Sequence, residues 1–359
     1  MSFDSDIAII GAGMAGASLA AEVAGEASVL LIEAEDQPGY HSTGRSAAFW
    51  AESYGGPFIQ PLTTASGPFL EAQGFLKARG GLHIADLDGL EALARLEVEF
   101  GDRVGFQRLD RDGLQALLPG LRDGWVQGLL EPSCRDIDVA GLHGFYLAKA
   151  RRNGAKLVAN AEVAGLRRDG LGWIVETAGG SFRTGAVVNA AGAWADRVAA
   201  LAGAAPVGLQ PYRRTLSQLR VDPPAASDLP LVMDSLERFY FKPEAGGRLW
   251  LSPHDETPCD PCDCAAEELD VAIAIDRLER AVDWKVERVE RSWAGLRSFA
   301  PDRRPVYGFD AGASGFFWCA GQGGFGIQTA PAAAKLAADL LLGRAPELDP
   351  EPYAPDRLR

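Results

Sequence analysis
The spacing of apolar residues divides this chain into two styles of element. Near the start, positions 6–10 form a short unbroken apolar run that reads as a buried strand. Positions 17–23 hold good helix formers, and 28–32 form a second apolar run closed by Glu33. Small and hydroxyl-bearing residues from Gly39 open what reads as a helix from about Arg45. Helical periodicity follows at 57–75, 87–99, 112–118 and 136–152, the last with Asp136 or Asp138 near its cap. Strands are expected at 80–85, 128–131, 156–158, 162–166 and 172–176, and an apolar strand at 185–190 runs into small residues and a helix over 196–202. From 207 to 221 the pattern turns to alternation, and strands recur at 230–233, 238–242, 248–251 and 286–293, with one helix between 266 and 282. That block reads as an antiparallel sheet, unlike the strand–helix–strand opening. A last apolar strand at 315–320 leads through glycines into an Ala/Leu-rich helix from about 325 to 342. Beyond it, a Pro- and charge-rich tail is expected to wrap the surface loosely.

The opening carries the first chemistry. Gly11-Ala12-Gly13-Met14-Ala15-Gly16 has the G-x-G-x-x-G spacing between a strand and a helix. Gly11 permits the tight turn, Gly13 lets the backbone approach a pyrophosphate, and Gly16 lets helix and strand pack closely. The helix start offers free N–H groups and a positive dipole end, and Glu33 sits where a carboxylate accepts from ribose hydroxyls. Strand, glycine turn, helix, strand and acid in that order predict a bound dinucleotide. Ser42 and Thr43 are donors either for a polar cofactor edge or for an ordinary helix cap. Ala191-Gly192-Ala193-Trp194 permits either close backbone approach to a ligand or plain helix–strand packing. Gly321 to Thr329 makes a second strand–glycine–helix unit, whose helix start is expected to face the ligand. A flavin ring, which gains electron density at N1–C2=O on reduction, is stabilised by such a positive end.

Composition narrows the partners. The 359 residues make one large or two ordinary domains, with a core drawn from 47% hydrophobic positions. A net charge of −14 without a Lys/Arg-rich run argues against nucleic acid or an anionic membrane surface. No stretch approaches a membrane span, and with the first strand beginning so early no signal peptide is expected. Five cysteines, three of them in one loop, fit a reducing cytoplasm, which is the expected location. Cys259, Cys262 and Cys264, with His254 close by, are chemically competent for zinc. Pro258, Pro261 and the flanking acids make an exposed, metal-free loop the expected state. Cys319 lies inside an apolar strand and is expected to pack there. Of the scattered histidines only His41 is expected near a cofactor; His83, His143 and His254 are unassigned.

Seven blocks then carry a resemblance: GAGMAGASLA at 11–20, HSTGRSAA at 41–48, VVNAAGAW at 187–194, LQPYRR at 209–214, FYFKP at 239–243, SWAGLRSF at 292–299 and GQGGFGIQT at 321–329. Over residues 6 to about 345 the chain resembles the D-amino-acid-oxidase-like (glycine/sarcosine oxidase) superfamily of FAD flavoproteins, and within it looks most like the bacterial D-arginine dehydrogenases. The resemblance implies an α/β fold, a Rossmann-like FAD-binding domain with an inserted antiparallel-sheet (α+β) substrate domain. The first would comprise 1–80, 138–205 and 300–359, the second 81–137 and 206–299. FAD would be held noncovalently. Its contacts would come from Gly11, Gly13, Met14, Ala15 and Gly16, then from Glu33, Ala34, His41, Ser42 and Thr43. Arg45, Ser46, Ala47, Ala48 and Val163 would follow, with Ala191, Gly192 and Trp194. Gly323, Gly324, Phe325, Gly326 and Ile327 would complete the set.

The resemblance also implies that a substrate carboxylate is held by Arg214, Arg297 and Tyr240, a pairing that suits the bidentate chemistry of guanidinium. Adjacent strand residues face opposite ways, so only one of Arg213 and Arg214 can enter the pocket. Tyr54 would lie on an active-site loop, with Gly324 and Gln328 near the substrate amine and flavin. Two departures bear on the substrate. Phe49 stands where the D-arginine enzyme has His, and Gly80-Gly81-Leu82 where it has a carboxylate for the cationic side chain. The expected function is therefore FAD-dependent oxidation of a D-amino acid with a hydrophobic side chain. Hydride passes from Cα to flavin, and the imino acid hydrolyses to a 2-oxo acid and ammonia. The partners would be that amino acid and an electron acceptor, either a quinone, a dye-like carrier or oxygen. A glycine/sarcosine-type oxidase, or a flavoprotein subunit of a larger electron-transfer complex, are the alternatives.

Overall fold
In the computed structural model, which describes residues 3–359, the first apolar run becomes a central strand of a parallel sheet. Ser5–Ile10 pairs in parallel with Val29–Ile32 on one side and with Gly180–Asn189 on the other. Lys156–Val158 extends the first side and Phe316–Ala320 the second. Both faces are covered, which is why these strands read as continuous apolar runs rather than alternation. Gly180–Asn189 divides its length between two pairings. Its first half closes an antiparallel meander with Val163–Asp169 and Gly172–Thr177, and its second half joins the parallel core. Helices Met14–Val23, Val139–Arg152 and Ala330–Leu341 cover one face through Leu19, Val23, Leu142, Tyr146 and Leu336. Trp173, Val175, Val198, Phe316 and Trp318 pack the other. The parallel strands thus end together at Ile10, Ile32, Asn189 and Ala320. The loops that follow those ends border one crevice, where open α/β sheets bind ligands.

A second sheet is organised on two long strands, Gln210–Asp222 and Lys285–Phe299, antiparallel along their whole length. The strand expected at 286–293 therefore continues through Phe299. Arg248–Ser252, Tyr240–Glu244 and Leu231–Asp234 add antiparallel neighbours. The next step, to Gly81–Ala85, is parallel, because those segments are remote in sequence and no hairpin constrains them. Helix Glu268–Ala281 lays Ala274, Leu278 and Ala281 on this sheet beside Phe241 and Trp284. Among the described residues no helix is long and apolar enough to cross a membrane.

Three local expectations are corrected. The helix read from Arg45 does not form. Ser42–Arg45 is a single 3-10 turn, after which the chain runs extended so that Phe49 and Trp50 pair with Asp136 and Arg135 and bury their rings. The last helix begins at Ala330 rather than near 325, since Gly321 and Gly323 adopt φ of 73° and 54° and hold the segment as a turn. The tail is pinned rather than loose. Tyr353 is 2% exposed, its hydroxyl donates to the Phe58 carbonyl at 2.7 Å, and Arg357 reaches Asp302 at 2.7 Å.

The glycine turn is as tight as its spacing implies. Gly11 has φ of 100°, and a Cβ on Gly16 would lie 1.9 Å from the Gly11 carbonyl oxygen, which is backbone and cannot step aside. Gly16→Ala is expected to lower the urea midpoint, through a loss of unfolding free energy of at least the ~1–3 kcal/mol typical of an overpacked core. An unchanged midpoint would mean that strand and helix can separate freely.

Candidate functional site
Beyond the ends of the parallel strands runs a continuous cavity of about 680 Å³. Gly11, Gly13, Met14 and Ala15 form its floor at the start of the first helix, where a Cβ on Gly13 would touch only Thr43 Oγ1, at 3.3 Å. Met14 N donates to that same oxygen at 3.0 Å. Glu33 accepts from Ala12 N at 2.8 Å through one oxygen and from Glu35 N at 3.1 Å through the other. A carboxylate has lone pairs left for ribose hydroxyls after two such bonds. His143, from the helix Val139–Arg152, bonds the Ala12 carbonyl at 2.8 Å and so supports the turn from behind. His41 meets Glu35 Oε1 at 2.8 Å and leans on Trp194, 4.7 Å between ring centroids. A turn that carries no Cβ at Gly11 and Gly13, a helix start lining the cavity at Met14 and Ala15, and an acidic rim fit a dinucleotide such as FAD.

At its far end the cavity reaches Arg214, Leu216, Arg297 and Gly324. The neighbours in the YRR block do face opposite ways: Arg213 pairs with Glu267 and Asp270, and Arg214 turns inward. Arg214 donates to the Asp255 carbonyl at 2.7 Å and to Glu256 at 3.1 Å. Its Nη1, like the hydroxyl of buried Tyr240, has no hydrogen-bond partner among the described residues. Burial, then the nearby charge of Arg297, pushes Arg214 below its ordinary pKa. Arg297 donates from Nη1 to the Tyr54 hydroxyl at 2.7 Å. Its guanidinium fits because residue 324 is glycine: a Cβ there would come within 2.9 Å of it. His254, unassigned from sequence, stacks edge-on against Tyr240 at 5.5 Å. Burial, reinforced by Arg214 and Arg297, holds it down to about 2, so it stays neutral and carries no proton at working pH.

The loop bearing Tyr54 is held from beneath. Gln328 accepts from Ala51 N at 3.3 Å and donates to the Tyr54 carbonyl at 3.1 Å and to Thr63 Oγ1 at 2.9 Å. It is 2% exposed and lies behind the cavity rather than in its lining; Gly16, Ala48, Phe325 and the expected substrate residues Tyr54 and Tyr240 also lie outside that lining. Phe325 packs its ring 5.0 Å from Tyr54. Glu131, fully buried, accepts from Glu52 N at 2.8 Å and from the Ser53 hydroxyl at 2.5 Å, with His83 4.0 Å away. Nothing in the sequence pointed to Glu131 or Ser53, since the contacts join segments 78 residues apart. The remaining expected cofactor residues line the cavity: Ala34, Ser42, Arg45, Ser46, Ala47 and Val163 on one side, and Ala191, Gly192, Gly323, Gly326 and Ile327 on the other. Arg197, Ser298 and Gln322 line it as well and were missed.

A Rossmann-like sheet with a dinucleotide cleft opening onto paired arginines defines a nucleotide-cofactor oxidoreductase. The chain belongs to the DAO family of FAD-dependent oxidoreductases, whose model matches residues 6–340, and FAD is its cofactor. It is 32% identical to a glycine oxidase of Pseudomonas aeruginosa over 67% of this chain and 65% of that protein. With a glycine oxidase of Geobacillus kaustophilus it shares 26% identity over 97% and 96% of the two chains. The crystal structure of that Geobacillus enzyme superimposes with a TM-score of 0.87 at 24% identity, over 98% of each chain. An L-proline dehydrogenase from P. horikoshii gives 0.86 at 23%, over 99% of this chain and 98% of that one.

Burial raises the Glu131 carboxyl above its ordinary 4.5, so the folded protein holds that proton more tightly than the unfolded chain. Its stabilising contribution is then complete below about pH 4.5 and is lost as pH rises through the folded-state value. Glu131→Gln removes the titration. The unfolding free energy of the variant relative to the parent should shift in the variant's favour from pH 4.5 upward in urea titrations. A difference independent of pH would contradict this account.

Proposed function
We propose that this enzyme oxidises a small amino acid at its Cα, with the substrate carboxylate bound by Arg214, Arg297 and Tyr240. The observation that carries the reading is the unpartnered buried donor Arg214 Nη1, which lines the end of the cofactor cleft with Arg297, together with the unpartnered hydroxyl of buried Tyr240 in the packing around them. Buried donors of this kind call for an anion, and a carboxylate matches guanidinium geometry. When bound, FAD supplies the two-electron acceptor for the Cα hydride. The chain's own contribution is orientation: the arginines fix the carboxylate, Tyr54 caps the pocket, and Gly324 leaves room beside Arg297. No group at the site is a dedicated base, His254 being held neutral among cations, so the amine is taken to bind without its proton. The oxidised imino acid then takes up water, giving a 2-oxo acid and the amine nitrogen as ammonia from a primary amine or methylamine from an N-methyl one. The division into an FAD-binding part (1–80, 138–205, 300–359) and a substrate part (81–137, 206–299) is supported by the separation of the eight-stranded from the nine-stranded sheet, while a small third sheet links the parts through Arg135–Ile137.

A glycine- or sarcosine-type amine is the favoured substrate. Phe49 packs 4.8 Å from Tyr54 and 6.4 Å from Tyr240, leaving little width between the rings, and glycine oxidases are among the relatives. A D-amino acid with an apolar side chain is the second reading, favoured by Leu216 and Met233 in the same apolar cluster. The Glu52 carboxylate is engaged by Thr64, whose hydroxyl donates to it at 2.6 Å. Desolvating a cation here without a partner is costly, so arginine should be poor.

Anaerobic mixing with glycine, sarcosine, D-Ala, D-Leu, D-Phe and D-Arg, followed by absorbance near the flavin band, tests the reading. Glycine or sarcosine should bleach the flavin fastest; a clear preference for D-Arg sinks both readings of the side-chain pocket. Admission of air then reports whether oxygen is an acceptor. Arg297→Ala should keep its FAD but lose about 30-fold or more in kcat/KM, the consequence of ~2–5 kcal/mol for half-pairing a desolvated carboxylate. Near-normal kcat/KM in that variant would put the clamp elsewhere.

A further inference from the structure
The loop between Thr257–Pro258 and the helix Glu268–Ala281 holds three of the five cysteines, all free thiols, and the oxidation chemistry above uses none of them. Cys262 is exposed, and Cys259 and Cys264 are partly so, whereas Cys134 and Cys319 are buried. The chain bends at 261–262, between the two thiols of a Cys-x-x-Cys spacing, and Cys264 follows two residues later.

The loop is joined to the cofactor cleft by the residue between the last two cysteines. Asp263 pairs with Arg45 and accepts from the Tyr40 hydroxyl at 3.0 Å. The Cys264 carbonyl accepts from Arg45 Nη1 at 3.0 Å. Arg45 and Tyr40 both line the FAD cavity, with the guanidinium 4.9 Å above the Tyr40 ring. The other end of the loop is fixed. Cys259 N donates to the Pro211 carbonyl at 3.1 Å, and its own carbonyl accepts from Gln210 at 3.3 Å. Cys259 is therefore anchored to the substrate sheet, and anything that draws Cys262 toward it drags Asp263 along.

We propose that Cys259 and Cys262 form a peroxide-sensitive modification site whose disulfide displaces Asp263 from Arg45 and Tyr40 and loosens FAD. The exposed Cys262 thiolate attacks the O–O bond of a hydroperoxide, forming a sulfenic acid and releasing water or alcohol. The Cys259 sulfur then attacks the sulfenic sulfur; the S–S bond forms, the S–O bond breaks, and the departing hydroxide leaves as water. Two thiols are oxidised by two electrons and the peroxide is reduced by two. The order follows from access, since burial holds Cys259 and Cys264 above the ordinary thiol pKa and makes them slower first nucleophiles. The inference needs FAD in the cleft but no particular substrate.

The test exposes the FAD-loaded full chain to dilute hydrogen peroxide, then maps peptides without reduction and measures the FAD dissociation constant by flavin fluorescence. A Cys259–Cys262 link is expected, with a rise in that constant of about tenfold, the scale of one lost hydrogen bond to a charged group. Dithiothreitol should reverse both. Cys262→Ser should bind FAD as the parent does and ignore peroxide, and Asp263→Asn should bind FAD weakly even when reduced. A link that forms without changing FAD affinity, or peroxide treatment that yields no link, overturns the proposal. If either variant fails to fold, peroxide and reversal on the parent chain still decide it.

Discussion
The docking of one short turn on one strand sets the relation between the two halves of the site. Ser42 Oγ donates to the Leu296 carbonyl at 2.7 Å, Arg45 donates to the Ala294 carbonyl at 3.2 Å, and Trp293 Nε1 donates to the Arg45 carbonyl at 3.1 Å. Gly295 sits between these contacts, where a Cβ would be 3.3 Å from Arg45 Cβ. The lip of the cofactor cleft is thus fastened to the strand that carries Arg297, two residues beyond Gly295. Arg214 follows from the same strand, because its backbone pairs opposite Gly295. The arginine backbones are positioned against the cleft by the strand ladder and by side-chain bonds from Ser42, Arg45 and Trp293 to main-chain carbonyls, which is the preorganisation that oriented reaction needs.

That rigidity explains how two guanidiniums can be kept close. Asp255 and Glu256 offset part of the charge on Arg214, but Asp255 gives its carboxylate oxygens to Thr215 N and Oγ1, at 2.7 and 2.9 Å. The cations therefore remain under-compensated in a partly dehydrated place, and an incoming anion removes a cost as well as adding bonds. His254 beside them is kept neutral by burial first and by the same field second. Electrostatics here select for a carboxylate and against a protonated amine, and the second preference makes a separate base less necessary.

Much of this was legible in the sequence where local rules act alone. The glycine spacing, the two apolar strands and Glu33 fixed the dinucleotide crevice because each has a mechanical reason within some thirty residues. The alternation from 207 onward identified the second sheet, and opposite facing of Arg213 and Arg214 follows from strand geometry. What could not be read depends on segments meeting at long range. His143 behind the glycine turn, Glu131 under the Tyr54 loop and His254 against Tyr240 have no local pattern. Gln328 was expected beside the substrate and instead supports the loop backbone, a distinction that only the packing of Ala51, Tyr54 and Thr63 against it can make.

The extended path taken after Arg45, where a helix was expected, shows why the proposed substrate pocket was harder to read than the cofactor cleft. Ser42, Thr43 and the alanines satisfy helix-start rules, yet Phe49 and Trp50 gain more as buried partners of Arg135 and Asp136 in a three-stranded sheet. That extended path aims Phe49 at Tyr54 and Tyr240. A helix would have turned residue 49 by about 100° per step along a different face. The width of the pocket therefore depends on a tertiary choice made by two residues, Phe49 and Trp50. Cofactor recognition is encoded in short, autonomous motifs, whereas substrate recognition is built from the tension between local preference and distant pairing.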